Sequence, residues 1–382
     1  MKLGIYVHIP FCVRKCVYCD FLSAPAANDM RQVYLEALKK ELACEAESYK
    51  AYEADTVFFG GGTPSLLEAR ELTDCLEQLR THYRIARDVE MTLEVNPKTV
   101  TQEKLVRLRK AGINRLSIGL QSAEDEELRL LGRIHTYADF LQTYAWARAA
   151  GFDNINIDLI SGIPGQTSAA WRETLEKVLR LRPEHISAYS LIVEEGTPLY
   201  EHLEEYPKLP DEECDRQMYR ETKQLLAEQG YERYEISNYA REGFACRHNR
   251  IYWQRGIHHT SDYVGFGLGA ASTVGRLRWR NTADMERYLS LCHAGDTDAL
   301  KEERETLSER DCMAEFMLLG LRMTRGVSAK EFCDTFRMKV EAVYGDVLKK
   351  YEQYGLLAWD GDRISLTDAG IDVSNVVLAD FL

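Results

Sequence analysis

The chain has no stretch approaching the ~20 apolar residues that a membrane-spanning helix needs, which excludes a helical span. Its first residues, MKLGIYVHIPFC, carry one Lys and a short apolar run without a small-residue cleavage site. That is not the pattern of a secretory signal, so a cytoplasmic protein is expected. Basic charge is scarce as well. Lys and Arg number 48 against 61 Asp and Glu, a formal net charge of −13. Broad nucleic-acid binding needs a basic surface, so it is not expected here. Internal repeats and low-complexity tracts are also missing. What remains is ordinary for a soluble globular protein: 382 residues, 45% hydrophobic and 29% charged, enough to bury a core without disulfide staples. Ten cysteines in a reducing compartment then point to metal or redox use rather than to a disulfide framework.

The first half alternates strand and helix patterns. β-rich runs occur at Leu3–Ile9, Thr56–Phe59, Glu90–Val95, Arg115–Leu120, Asn154–Ile160 and His185–Val193. Helical patterns separate them at Val33–Ala46, Leu66–Tyr83, Gln102–Ala111, Tyr137–Ala150 and Trp171–Leu181. Parallel strands need crossover helices, so the alternation predicts an α/β fold on a parallel sheet, either doubly wound or a partial barrel. Both place the ligand at the C-terminal strand ends. Phe-Gly-Gly-Gly-Thr-Pro (59–64), Glu94-Val-Asn-Pro, Gln121, Asp158 and Gly-Ile-Pro-Gly-Gln-Thr (162–167) stand there. One such turn is commonplace, but four strand ends so marked, Asp158 and 162–167 closing the same strand, favour a site. A helix over Asp211–Gln229 leads into aromatic-rich, irregular sequence from Tyr231 to Arg280. From Thr306 the reading is three helices (Asp311–Met323, Ser328–Phe336, Lys339–Tyr354) and a hairpin, a winged-helix-like module. It shows no Lys/Arg excess, so packing rather than DNA binding is its expected role. The division expected is 1–230, 231–305 and 306–382.

Cys12, Cys16 and Cys19 give C-x3-C-x2-C directly after the first strand. Three thiolates in eight residues can converge on one soft metal centre. An iron–sulfur cubane normally takes four cysteines; three would leave one iron open to a ligand. Structural zinc is the competitor, with His8 as a conceivable fourth donor, although no second Cys/His knuckle is evident nearby. The other seven cysteines are scattered, mostly in apolar helical patterns, and read as core residues.

The cysteine loop resembles that of the radical S-adenosylmethionine (SAM) superfamily, whose fold is a partial β/α barrel. Within it, several stretches resemble one branch: Tyr6-Val-His-Ile-Pro-Phe-Cys12, Cys19-Asp-Phe21, Gly60–Ser65, Ser117–Gln121, Leu131–His135, Asn156–Thr167 and Cys246-Arg-His248-Asn-Arg-Ile-Tyr252-Trp253. That branch holds the oxygen-independent coproporphyrinogen III dehydrogenases and the related HemW heme chaperones, and the resemblance covers nearly the whole chain. It implies a 4Fe–4S cluster on Cys12, Cys16 and Cys19, with S-adenosylmethionine on the open iron. Reductive cleavage of the sulfonium there yields a 5′-deoxyadenosyl radical. By the same resemblance, Gly61, Gly62 and Thr63 meet the amino end of S-adenosylmethionine. Tyr6 and Glu94 contact the same cofactor, and Tyr18 covers the cluster. Gln121, Arg133 and Asp158 surround a second S-adenosylmethionine in the dehydrogenases; an internal ion pair is the plainer reading of Arg133 and Asp158.

Two departures separate this chain from the dehydrogenases. They carry a fourth cysteine where Phe21 stands, and an N-terminal extension for which a first strand starting at Leu3 leaves no room. Both match the chaperones, as does His248-Asn249-x-x-Tyr252-Trp253. The expected function is therefore a chaperone that binds heme and delivers it to apo-hemoproteins such as respiratory enzymes. Decarboxylation of coproporphyrinogen III, or radical chemistry on another tetrapyrrole, is the alternative. His248 is the candidate axial ligand, with Tyr252 and Trp253 as stacking partners; Cys246, His258 and His259 are lesser candidates. A family histidine is replaced by Ala271, and Gln254–Asp262 is an insertion. A flavodoxin- or ferredoxin-type electron donor would be needed for radical chemistry. The reading is compatible with a homodimer and with peripheral membrane association.

Overall fold

A computed structural model describes residues 1–254 and 262–382; His258 and His259 lie outside the described residues. The chain alternates β1 (Lys2–Ile9), the two-residue pair β2 (Phe11–Cys12) and β3 (Ala24–Pro25), α1 (Asn28–Glu45), β4 (Glu53–Gly61), α2 (Ala69–His82), β5 (Ile85–Val95) and α3 (Gln102–Ala111). It continues with β6 (Arg115–Gln121), α4 (Asp125–Leu130), α5 (Tyr137–Ala149), β7 (Ile155–Ser161), α6 (Ser168–Leu179), β8 (His185–Ser190), α7 (Pro198–Glu201) and α8 (Glu212–Glu228). The strands β1, β4, β5, β6, β7 and β8 lie side by side in that order, all parallel.

Each of these strands is two-sided. On β1, Leu3, Ile5, Val7 and Ile9 are buried against the helices, while Gly4, Tyr6 and His8 face the other way. On β6 and β7 the helix-facing residues are Leu116, Ile118, Leu120, Ile155, Ile157 and Leu159. The opposite faces carry Arg115, Ser117, Gly119, Asn156 and Asp158. A doubly wound sheet needs apolar residues on both faces. A polar second face belongs to a curled sheet enclosing a lumen, and residues from the ends of β4 to β8 do meet in one cavity.

The stretch read as irregular from Tyr231 to Arg280 contains, among its described residues, several short strands and one helix. β9 (Glu232–Arg233) and β10 (Asn238–Ala240) extend the sheet beyond β8. After α9 (Arg247–Trp253) come β11 (Tyr263–Phe266), β12 (Ala271–Val274), β13 (Leu277–Asn281), α10 (Met285–Ala294) and β14 (Lys301–Thr306). β11 pairs parallel with β1, and β12 to β14 continue antiparallel to complete twelve strands. Strands of two to six residues carry too short a period to stand out in sequence. β8 ends at Ser190 rather than Val193. Beyond it, Leu191, Ile192 and Glu194 line the cavity.

The C-terminal residues gather around their own apolar cluster, including Phe316, Phe332, Tyr344 and Phe381. The elements are α11 (Glu309–Gly320), β15 (Val327–Ser328), α12 (Ala329–Phe336), α13 (Val340–Gln353), β16 (Leu357–Trp359) and β17 (Arg363–Leu366). The strands form a small sheet in the order β15, β17, β16.

Candidate functional site

The C-terminal ends of the parallel strands open into a cavity of about 520 Å³. Eleven of the residues singled out from sequence line it: Cys12, Cys16, Cys19, Tyr18, Gly61, Gly62, Thr63, Glu94, Gln121, Arg133 and Asp158. They come from strand ends and loops more than 140 residues apart in sequence (Cys12 to Asp158).

The cysteine loop follows β1 and has little regular structure of its own; tertiary bonds hold it. The Val17 amide donates to Leu131 O (3.3 Å) and Leu199 N to Val17 O (2.9 Å), while Arg14 donates to Gly132 O. All three thiols are partly exposed and free. Thr63 Oγ1 lies 3.7 Å from Cys12 Sγ, and Arg133 Nη1 lies 3.6 Å from Cys16 Sγ. Burial pushes the Cys19 thiol up. Among the described residues, no three His, Cys, Asp or Glu groups close on a single ion. The three thiols line one cavity, and an all-thiolate donor set suits an iron–sulfur cluster. His8 is no fourth donor. Its Nε2 donates to Leu22 O (2.9 Å) and its Nδ1 faces Tyr6 Oη (3.0 Å).

The glycine turn is built for close approach. Gly61 has φ +112°, and a Cβ there would strike the His8 ring. A Cβ on Gly62 would meet Phe11 O at 2.7 Å. The turn and the cysteine loop are stitched together by Gly62 N to Ile9 O (2.8 Å) and Thr63 N to Phe11 O (2.7 Å).

Two carboxylates face the lumen. Glu94 accepts the Gly61 amide (3.1 Å). Burial, then the charge of Asp158, pushes its carboxyl up to about 8, against the Gly61 bond. Burial also raises Asp158, opposed by bonds from Ser117 and Asn156. Glu94 in the folded protein thus holds a proton that the unfolded chain releases near 4.5. Its contribution to stability is full below about pH 4.5 and is lost as pH rises through about 8. The expected outcome is a fall in the melting temperature of the ligand-free protein between about pH 4.5 and about 8 that Glu94→Gln flattens, the variant melting above wild type at about pH 9. Parallel melting curves against pH for the two proteins would refute this.

Arg133 and Asp158 do not pair with one another. Arg133 donates to Asn96 Oδ1 and Gly119 O (both 2.7 Å), and its Nε is buried without a partner. A partly buried guanidinium beside a thiol, with an unspent N–H, is suited to an incoming anionic group. Gln121 sits in the left-handed region at φ +75°, a conformation costly for a non-glycine residue and concentrated at functional sites. Three thiols, a guanidinium and two carboxylates around one cavity fit an iron–sulfur cluster together with a zwitterionic amino-acid ligand.

Tyr6 and His248, with its neighbours Cys246, Tyr252 and Trp253, are not at this cavity. Tyr6 lies one layer below, stacked on Phe58 (centroids 6.3 Å apart) and close beneath Gly60. His248 lies at the opposite end of the lumen, in α9. Glu90, on β5, accepts the Arg247 and His248 amides (both 3.0 Å), capping the helix there. The His248 ring stacks on Phe58, with Nδ1 2.7 Å from Thr56 Oγ1 and Nε2 2.8 Å from Tyr252 Oη. Both nitrogens are therefore engaged, and burial depresses its pKa to about 3. Ala271 opens β12 on the surface.

Several contributors carried no role in the sequence reading. Asn96 bridges Arg133 and Thr63 (Nδ2 to Oγ1, 2.8 Å). Below Asp158, Asn156 bonds Ser117 (2.7 Å) and His185 Nδ1 (2.6 Å), and His185 Nε2 meets Tyr234 Oη at 2.8 Å. Polar residues at every second strand position were the signal that could have marked them.

Comparison with known proteins agrees with this geometry. Residues 6–178 match the radical SAM superfamily, and residues 307–373 match the HemN C-terminal domain. The heme chaperone HemW of Escherichia coli is 37% identical, over 100% of this chain and 98% of its own length. That of Bacillus subtilis is 34% identical over 99% and 98%. The solved structure of the radical SAM coproporphyrinogen III oxidase HemN from Escherichia coli superposes with a TM-score of 0.87 at 24% identity, covering 100% of this chain and 90% of that one; it shows a shared fold. The end-to-end similarity at these identities places this chain in the HemW family of the radical SAM superfamily.

Proposed function

We propose that this protein is a heme chaperone. It carries a 4Fe–4S cluster on Cys12, Cys16 and Cys19, binds S-adenosylmethionine in the adjoining cavity, and passes heme to apo-hemoproteins such as respiratory enzymes. The observation that carries the reading is the full-length similarity to HemW chaperones. Phe21 at the position of the dehydrogenases' fourth cysteine supports it. When bound, the cluster supplies electron transfer at an iron left free of protein ligands. The chain's own residues do the positioning. Gly61, Gly62 and Thr63 admit the amino end of S-adenosylmethionine, and Glu94 receives its hydrogen-bond donors. Tyr18 shields the cluster, and Arg133 faces a carboxylate. Gln121 and Asp158 complete the wall that a second S-adenosylmethionine would meet. Ten cysteines and an oxygen-sensitive cluster suit the reducing cytoplasm.

Heme ligation by His248 requires that Nε2 give up Tyr252, so that iron replaces one hydrogen bond. The test is an anaerobic titration of heme into the cluster-loaded protein, followed at the Soret band. Saturable one-to-one binding is expected, with no substrate-dependent 5′-deoxyadenosine. Weaker binding in His248→Ala assigns the axial ligand, and unchanged binding assigns it elsewhere. Heme binding no better than that of an unrelated control protein would overturn the chaperone reading.

A further inference from the structure

At the end of the lumen far from the cysteines, α9 meets the C-terminal elements: Trp253 and Gln254 share a small cavity with Arg325, and the charges of Arg250 and Arg363 both act on Arg325. Arg250 lies on α9, Arg325 in the turn between α11 and β15, and Arg363 at the start of β17, paired with Ser328. Gly326, at φ +64°, lays this turn against the β17 backbone, where a Cβ would collide with Ile364 O. Among the described residues, none of the three guanidinium groups forms an ion pair. Arg250 Nε and Arg363 Nη1 are buried without a hydrogen-bond partner, and so is Trp253 Nε1 beside them. Arg325 itself is exposed on one side; its partial burial, then the charges of Arg250 and Arg363, hold its guanidinium below the usual arginine range, with Glu331 opposing.

Nearby acids offset the cluster only in part, Glu331 acting on Arg325 alone. Glu331 shares a small cavity with Arg325 and Trp253, but its Oε2 has no partner. Asp362 is taken by the Ser328 hydroxyl (2.8 Å) and the Lys330 amide (3.0 Å). Arg322 is spent on the Trp253 ring, its Cζ 4.5 Å from the centroid. Buried donors without acceptors cost about 1–3 kcal/mol each, and like charges add to that. A folded protein keeps such an arrangement where an anion completes it.

We propose that Arg250, Arg325 and Arg363 form an oxyanion-binding site, for a carboxylate or a phosphate group, at the seam between α9 and the C-terminal module. Guanidinium forks bind both groups in the same planar, bidentate way. The site is separate from the cluster cavity, and an anion there ties the helix that closes the lumen to the module. Its existence does not depend on heme binding.

The test uses the full-length protein at constant ionic strength, with inorganic pyrophosphate exchanged for chloride. The wild-type melting temperature rises saturably. In Arg325→Gln the rise is lost, and the anion-free protein melts at or above wild type because repulsion from Arg250 and Arg363 is relieved. Arg363→Gln behaves alike. Titrations with heme and with its dimethyl ester separate the sources. Esterification that weakens wild-type binding about tenfold or more, but not that of Arg325→Gln, assigns a propionate carboxylate. A pyrophosphate response with no effect of esterification assigns a free phosphate. Neither response in the wild type, or an Arg325→Gln protein that melts lower yet keeps its anion response, overturns the site.

Discussion

Cys12→Ala leaves the protein without its cluster: after anaerobic reconstitution, iron and sulfide fall to the background of apoprotein, and the iron–sulfur absorbance is absent. Cys16→Ala and Cys19→Ala do the same. A cubane normally takes four protein thiolates; this loop supplies three, and two do not hold it. The controls are Cys75→Ala, Cys246→Ala and Cys292→Ala. Burial pushes each of these thiols up to about 12, so they stay protonated and are poor ligands. These variants keep the full cluster. A Cys12→Ala protein that retains iron–sulfur absorbance would remove the ligand assignment.

Glu41→Ala is the second large effect, and it reads out in stability. Glu41 lies on α1, fully buried beneath β11 and β13. It accepts Tyr288 Oη (2.7 Å), Asn281 Nδ2 (2.6 Å) and the Gly267 amide (2.8 Å). Burial pushes its carboxyl up to about 7, against those bonds. Alanine strands three buried donors at once, so the expected loss is about 3–5 kcal/mol. Glu41→Gln costs less, since the amide oxygen still accepts, although its NH₂ confronts one donor. Urea unfolding measures both. A loss under about 1 kcal/mol for Glu41→Ala, the range of an ordinary surface change, would show that the network does not fasten the added strands. Gly267 and the turn it opens lie beside the cysteine loop: Tyr34 Oη bonds His8 O (2.7 Å) and accepts Leu268 N (3.1 Å). Loosening in Glu41→Ala is therefore expected to reach the cluster as well.

Residues close in sequence were legible without a structure. The cysteine loop announced itself because its ligands lie within eight positions. The glycine turn did so because only glycine tolerates the backbone of Gly61 and the closeness of Gly62 to Phe11. Gln102–Ala111 was readable to the residue, with Thr101 capping its start (Lys104 N to Oγ1, 3.2 Å) and left-handed Gly112 ending it. Caps and turns are local chemistry. Sequence could not choose between a sheet and a barrel, although the polar alternation of Ser117, Gly119, Asn156 and Asp158 held the answer. That alternation becomes decisive only when neighbouring strands share one polar face.

Sequence by itself determined the alternating α/β architecture, the three thiols, the glycine turn and the family resemblance, because each rests on residue type and short spacing. Tertiary structure alone decided three things. It set β11 beside β1, a pairing across some 250 residues that a four-residue strand cannot signal. It put Arg133 against Cys16 rather than against Asp158. It turned His248 inward onto Thr56 and Phe58. In each case the partner is chosen by which faces the folded sheet brings together. The burial that follows, unlike spacing, is a property of the whole chain.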